Sequence, residues 1–162
     1  MRFLLGNLKG WKKEEEILHK ELPELERYIR AKLFNLNIEI IEGLKSYNFY
    51  KVYQLISSFC NYELSSLFFD IRKDALYCED ILSLKRRASR TVMIDVFKVL
   101  VNWLSPVLVF TCEEAWQSWR DEIDDTATES CHLEPFVKIP DEWKDNLLID
   151  KWIYINNIRK VV

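Results

Sequence analysis

An all-α fold, an antiparallel helical bundle, is what this 162-residue chain predicts, on three observations. Only three glycines and four prolines occur, too few for a sandwich or barrel that turns every ten residues or so. Apolar residues recur at steps of three and four over long stretches, the period of a helix with one buried face. Nearly half the residues are apolar, which suits a sizeable core and excludes a disordered chain.

The elements follow in order. Residues 1–21 read as a lead-in segment: Met1-Arg2-Phe3-Leu4-Leu5-Gly6 is too short an apolar stretch for a secretory signal and suits a helix entered midway, in a chain starting at a boundary within a longer protein. Pro23 suits a first helical position, with Glu24 and Glu26 at the positive helix end. Leu25, Tyr28, Ile29, Leu33, Leu36, Ile40 and Leu44 then form one stripe, interrupted by Gly43 and stopping near Tyr47. Asn48 is placed to cap the next helix, whose period runs through Val52, Leu55, Ile56, Phe59, Cys60, Leu64, Leu67, Phe68 and Ile71 to Lys73. Residues 74–82 read as a connection. Ser83 is placed to cap a third long helix with Ala88, Val92, Val96, Val99, Leu100 and Trp103 inward, closed by Ser105-Pro106. Thr111-Cys112-Glu113-Glu114 reads as a capping box that launches a short helix bearing Ala115, Trp116 and Trp119. Residues 121–146 are expected to be mainly loop or extended, and 147–162 helical, with Leu148, Trp152, Ile155 and Ile158 on one side. The whole is expected to be one domain, 1–162.

Composition narrows function. Charges are mixed with a net of −3, so any contact with a nucleic acid is expected to be a local patch. No apolar run approaches the roughly 18 residues of a membrane span. The four cysteines, Cys60, Cys78, Cys112 and Cys131, are scattered without a C-x-x-C pair, against both a disulfide framework and a metal site, and no metal ligand is assigned. No clustered glycines offer a phosphate-binding loop, and His19 and His132 sit in no triad or metal motif, so no catalytic residue is assigned.

Two basic clusters remain: Arg72-Lys73, and Lys85-Arg86-Arg87 with Arg90. Arg72 and Lys73 complement the negative end of a helix. Arg86 and Arg87 near a helix N-terminus oppose the dipole, at about 0.3–1 kcal/mol, and call for a nearby anion, such as Asp70, Asp74 or a phosphate. Trp11 and Trp143 fall in looser segments, where a tryptophan can stack on a base.

The run Leu64-Ser65-Ser66-Leu67-Phe68-Phe69-Asp70-Ile71-Arg72-Lys73-Asp74-Ala75-Leu76-Tyr77-Cys78 closely resembles the Leu-Ser-(Ser/Ala)-Phe-Tyr-Phe-Asp-Ile-x-Lys-Asp-Arg-Leu-Tyr-Cys stretch of bacterial-type isoleucyl-tRNA synthetases. Arg2-Phe3-Leu4-Leu5-Gly6-Asn7-Leu8, Glu21-Leu22-Pro23-Glu24-Leu25-Glu26-Arg27-Tyr28, and the segment from Arg86-Arg87-Ala88 to Glu113-Glu114-Ala115-Trp116 resemble further pieces of that family in its order. Ala75 stands where the family usually has arginine. The 64–78 run separates the chain from valyl and leucyl relatives.

The resemblance implies the anticodon-binding bundle of a class I aminoacyl-tRNA synthetase. Its parent would join isoleucine to tRNA(Ile) with ATP and magnesium in the cytoplasm, as a monomer. Arg72, Lys73, Lys85, Arg86, Arg87 and Arg90 would contact phosphates of the anticodon stem-loop. Neither nucleotide-binding signature of the family, His-Ile-Gly-His or Lys-Met-Ser-Lys-Ser, occurs here. The catalytic and editing domains and the cysteine-rich zinc module of many relatives would lie elsewhere, with the first and last packed on this bundle. Without the resemblance, a helical protein-interaction or scaffold domain explains the stripes equally well.

Overall fold

The computed structural model describes residues 1–161, and among them every regular element is helical. The α-helices are α1 (Arg2–Leu8), α2 (Glu24–Lys45), α3 (Phe49–Ser58), α4 (Asp70–Cys78), α5 (Leu84–Leu104), α6 (Val109–Glu122) and α7 (Asn146–Val161). A π-helical stretch, Phe59–Phe69, joins α3 to α4, and short 3₁₀ turns occupy Lys13–Glu15, His19–Glu21, Cys131–Leu133 and Asp141–Trp143. Two compact units result, one of residues 1–17 and 74–138, the other of residues 18–73 and 139–162. The expected position 162 lies outside the described residues.

In the first unit α5 packs against both α1 and α6, and α1 also meets α6. Ser83 starts α5 as its side chain accepts from the Arg86 N–H, and the helix ends at Leu104, just before Pro106. All six residues expected to face inward on α5 are buried. They meet Leu4 and Leu8 of α1 and Cys112, Ala115, Trp116 and Trp119 of α6 in one apolar core. Phe97 and Trp119 stack with ring centroids 4.9 Å apart, a geometry that adds to simple burial.

In the second unit α2 packs against α3 and α7. Its stripe from Leu25 to Ile40 is buried, and Tyr28 stacks on Trp152 of α7 at 4.8 Å. The end of α2 is a Schellman motif: Asn48 N–H donates to Gly43 O and Tyr47 N–H to Leu44 O. Tyr47 takes the left-handed conformation, φ 56°, that glycine usually fills. Asn48 then caps α3, its side chain accepting from Lys51 N–H at 3.1 Å. Gly43 is required by proximity, because a Cβ there would lie 2.7 Å from Val52 Cγ2.

Four local expectations change. The helical period does not run unbroken from α3: Phe59 and Leu64, both buried, are five residues apart. At 3.6 residues per turn they would point about 140° apart, whereas i→i+5 closure brings them to one face. Residues 74–78 are the end of α4 and not a connection; Ala75 and Leu76 are buried there, and the link shrinks to 79–83. The capping box at Thr111 does not form, because α6 begins earlier, at Val109; Glu113 is used elsewhere, as described below. Trp143 is a buried residue with the Arg30 guanidinium 4.7 Å from its ring centroid, not an open stacking surface. Ile71 and Ile158 are exposed at the ends of their stripes.

Candidate functional site

The arginines at the start of α5 answer the dipole conflict within the first unit. The Arg90 side chain is only 7% exposed; Nη1 lies 3.0 Å from Glu15 Oε2, and Nη2 donates to Leu8 O and Lys9 O at the end of α1. Arg87 donates through Nε to Glu15 O and through Nη2 to Glu14 O. Arg86 Nη1 donates to Glu79 O at 2.7 Å, beyond the end of α4. Ser83 Oγ also donates to the Glu79 carboxylate. Each guanidinium therefore meets carbonyls at or just past a helix end, where the backbone is negative. Carbonyls and Glu15 supply the anionic partners for which Asp70, Asp74 or a phosphate were the candidates. Burial, reinforced by Arg86 and opposed by Glu15, lowers the Arg90 pKa.

Arg72, in the second unit, makes a bidentate pair with Glu26 of α2: Nε to Oε1 at 2.6 Å and Nη2 to Oε2 at 2.8 Å. The Glu26 side chain is 0% exposed and that of Arg72 13%. Its neighbour differs. Lys73 is 58% exposed and pairs loosely with Asp70 at 3.0 Å. Lys85, on the first turn of α5, is exposed. Of the six cations singled out in the sequence, Lys73 and Lys85 are exposed. Arg86 and Arg87 are half-buried, and Arg72 and Arg90 bind the fold to itself.

A feature the sequence reading missed lies at the α2–α3 turn. Tyr47, Phe49, Tyr50 and Tyr53 are all exposed, with Lys45 exposed beside them. Tyr47 and Phe49 meet edge to face at 6.3 Å, and Tyr50 Oη accepts from Gln54 at 2.7 Å. Aromatic faces beside cations are the hardware for holding unpaired bases. The signal was visible as four aromatic residues within seven positions that did not follow the buried stripe.

The histidines fall in different units, His19 in the second and His132 in the first. Burial lowers the His19 pKa, with help from Arg30. His132 sits with Cys131 against Glu113 of α6. Glu113 Oε2 accepts from Ser130 Oγ at 2.7 Å and from Cys131 N–H at 3.1 Å, and lies 4.0 Å from His132 Nε2. Partial burial pushes the Glu113 carboxyl up, but hydrogen bonds from Gln117, Ser130 and Cys131 outweigh it and hold the pKa at about 2. Burial first, then the neighbouring Glu113 carboxylate and Cys112, drive the Cys131 thiol to about 12. One nitrogen, one sulfur and one carboxylate oxygen thus converge within 4.8 Å of one another, a donor set able to hold a metal ion.

Comparison with known proteins gives one consistent result. The family model described as the anticodon-binding domain of tRNA ligase matches residues 26–162. The chain is 43% identical over 162 residues to the isoleucine–tRNA ligase of Agrobacterium fabrum, covering all of this chain and 16% of that protein. It is 40% identical to that of Gluconobacter oxydans, with the same coverage. It is also 40% identical to that of Pelagibacter ubique, over 99% of this chain and 18% of that protein. The chain spans about a sixth of the length of these relatives.

Proposed function

The chain belongs to the anticodon-binding domain family of tRNA ligases, and from that premise we propose that it docks the anticodon stem-loop of tRNA(Ile) for an isoleucine–tRNA ligase. The observation that carries the reading is the family match over residues 26–162, together with relatives of that one specificity. In this reading the parent enzyme activates isoleucine with ATP and magnesium in the cytoplasm and transfers it to the tRNA, acting as a monomer. The catalytic and C-terminal parts pack on this domain, and a zinc module belongs to the C-terminal part.

The exposed Lys73 and Lys85 are the phosphate contacts, with the half-buried Arg86 and Arg87 next to Lys85 in the chain. Arg72 and Arg90 act indirectly, by holding the surfaces on which those cations sit. Tyr47, Phe49, Tyr50 and Tyr53 offer stacking faces to unpaired bases. Such contacts position an RNA without reading paired sequence.

The test is a salt titration of binding between the 162-residue chain and an RNA hairpin of the tRNA(Ile) anticodon arm. Lys73→Glu with Lys85→Glu should weaken binding at low salt and reduce the slope of log K against log salt by about 1 to 2. An unchanged slope refutes those two contacts. A chain that binds neither hairpin nor whole tRNA, yet captures a protein partner, supports the scaffold alternative.

A further inference from the structure

We propose that Glu113, Cys131 and His132 form a binding site for a thiophilic divalent cation such as zinc. The donors come from two places. Glu113 lies in the first turns of α6, while Cys131 and His132 lie on the 3₁₀ turn Cys131–Leu133, which packs against α6 and α5. Adjacent residues rarely serve one ion because their side chains diverge in extended chain. Here the tight turn starts at Ser130, whose side chain accepts from His132 N–H at 3.2 Å. That turn folds both side chains toward one carboxylate.

The chemistry is that of a zinc site and not of a magnesium or calcium site, because a thiol and an imidazole are included. Zinc bonds of 2.0–2.3 Å in tetrahedral geometry place ligand atoms about 3.3–3.8 Å apart. The cluster spans at most 4.8 Å, so closure requires a movement of about 1 Å. The His132 side chain, 37% exposed, has the freedom to make it. Three protein donors leave the fourth position for water or another ligand.

Access and support are also present. A cleft of about 530 Å³ is lined by Trp116, Thr128, Cys131 and Glu134, so the sulfur has a route to solvent although Cys131 itself is 2% exposed. Gln117 Nε2 donates to Glu113 Oε1 at 2.6 Å, fixing the carboxylate from behind in the manner of an outer-shell partner. Binding forms a metal–sulfur bond and releases the thiol proton to water.

The probe is cobalt(II), titrated into the reduced 162-residue chain and followed by its sulfur-to-metal charge-transfer absorption, with zinc added afterwards. One equivalent should bind, show the thiolate band, and be displaced by zinc. Cys131→Ser should abolish the band, and His132→Ala should weaken binding at least tenfold. Cys78→Ser, at an exposed thiol far along the chain, should leave both unchanged. No band with excess cobalt above neutral pH overturns the proposal. A band that persists in Cys131→Ser overturns it equally, and His132→Ala keeps the test decisive if the buried substitution unfolds the chain.

Discussion

Replacing Arg72 with alanine should lower the stability of the α2-containing unit far more than its place in a surface-like basic pair suggests. Its guanidinium makes two hydrogen bonds of 2.6 and 2.8 Å to Glu26, whose side chain has no solvent exposure. Removing one member of such a pair strips a buried carboxylate of its bidentate partner and costs about 3–5 kcal/mol. For a chain of this size each kcal/mol shifts the melting temperature by about 2–4 °C, so the midpoint should fall by about 6–20 °C. Urea unfolding followed by tryptophan emission measures it, with Trp152 stacked on Tyr28 as a reporter in the same unit. Lys73→Ala is the internal control: its pair with Asp70 is more than half exposed on both sides, and such a pair is worth under about 1 kcal/mol. Replacing both partners by apolar residues, as in Glu26→Leu with Arg72→Met, should recover most of the loss, since buried ion pairs do little better than packed hydrocarbon. A loss below about 1 kcal/mol in Arg72→Ala, indistinguishable from Lys73→Ala, refutes the reasoning. The result also separates two meanings of a basic residue, because Arg72→Ala would then reduce RNA binding only in proportion to the unfolded fraction.

Gly43→Ala, which in an open helix would gain about 1 kcal/mol, should instead cost about 1–3 kcal/mol by overpacking against the stiff Val52 side chain; Gly43→Ala with Val52→Ala should restore stability in the same urea assay. The Glu113 tether of the 130–132 turn should be intact above the ordinary carboxylate pKa of 4.5 and be lost as pH falls toward about 2, because the folded form holds its proton less tightly. The Trp116 indole resonance, whose N–H donates to Thr128 O at 2.9 Å, reports it, and Glu113→Gln should remove the pH dependence.

What the sequence disclosed depends on the range of the interaction concerned. The α2 and α5 stripes and the caps at Asn48 and Ser83 are local patterns, and each is found where expected. The basic cluster on α5 signals a need for an anionic partner, yet the carbonyls of Leu8, Lys9, Glu14 and Glu15 attract a guanidinium as a phosphate does. They lie more than seventy positions away, so no periodicity announces them. The Thr-x-x-Glu spacing of Thr111 and Glu114 is a strong local signal for a capping box, and it leaves the neighbouring Glu113 no role of its own. A contact to residues 130 and 131 gives it one. Residues 74–78 read as a connection because nothing in Asp74-Ala75-Leu76 reveals that the eleven residues Phe59–Phe69 close their backbone bonds over a longer span.

That wide stretch, Phe59–Phe69, sets the angular phase of everything that follows it in α4. Each residue of an ordinary helix advances the chain by about 100°. Unless one i→i+5 turn closed as an ordinary turn to absorb it, the loss of a single residue between Phe59 and Phe69 would swing position 72 roughly a quarter-turn away from Glu26 and present a different side chain to that buried carboxylate.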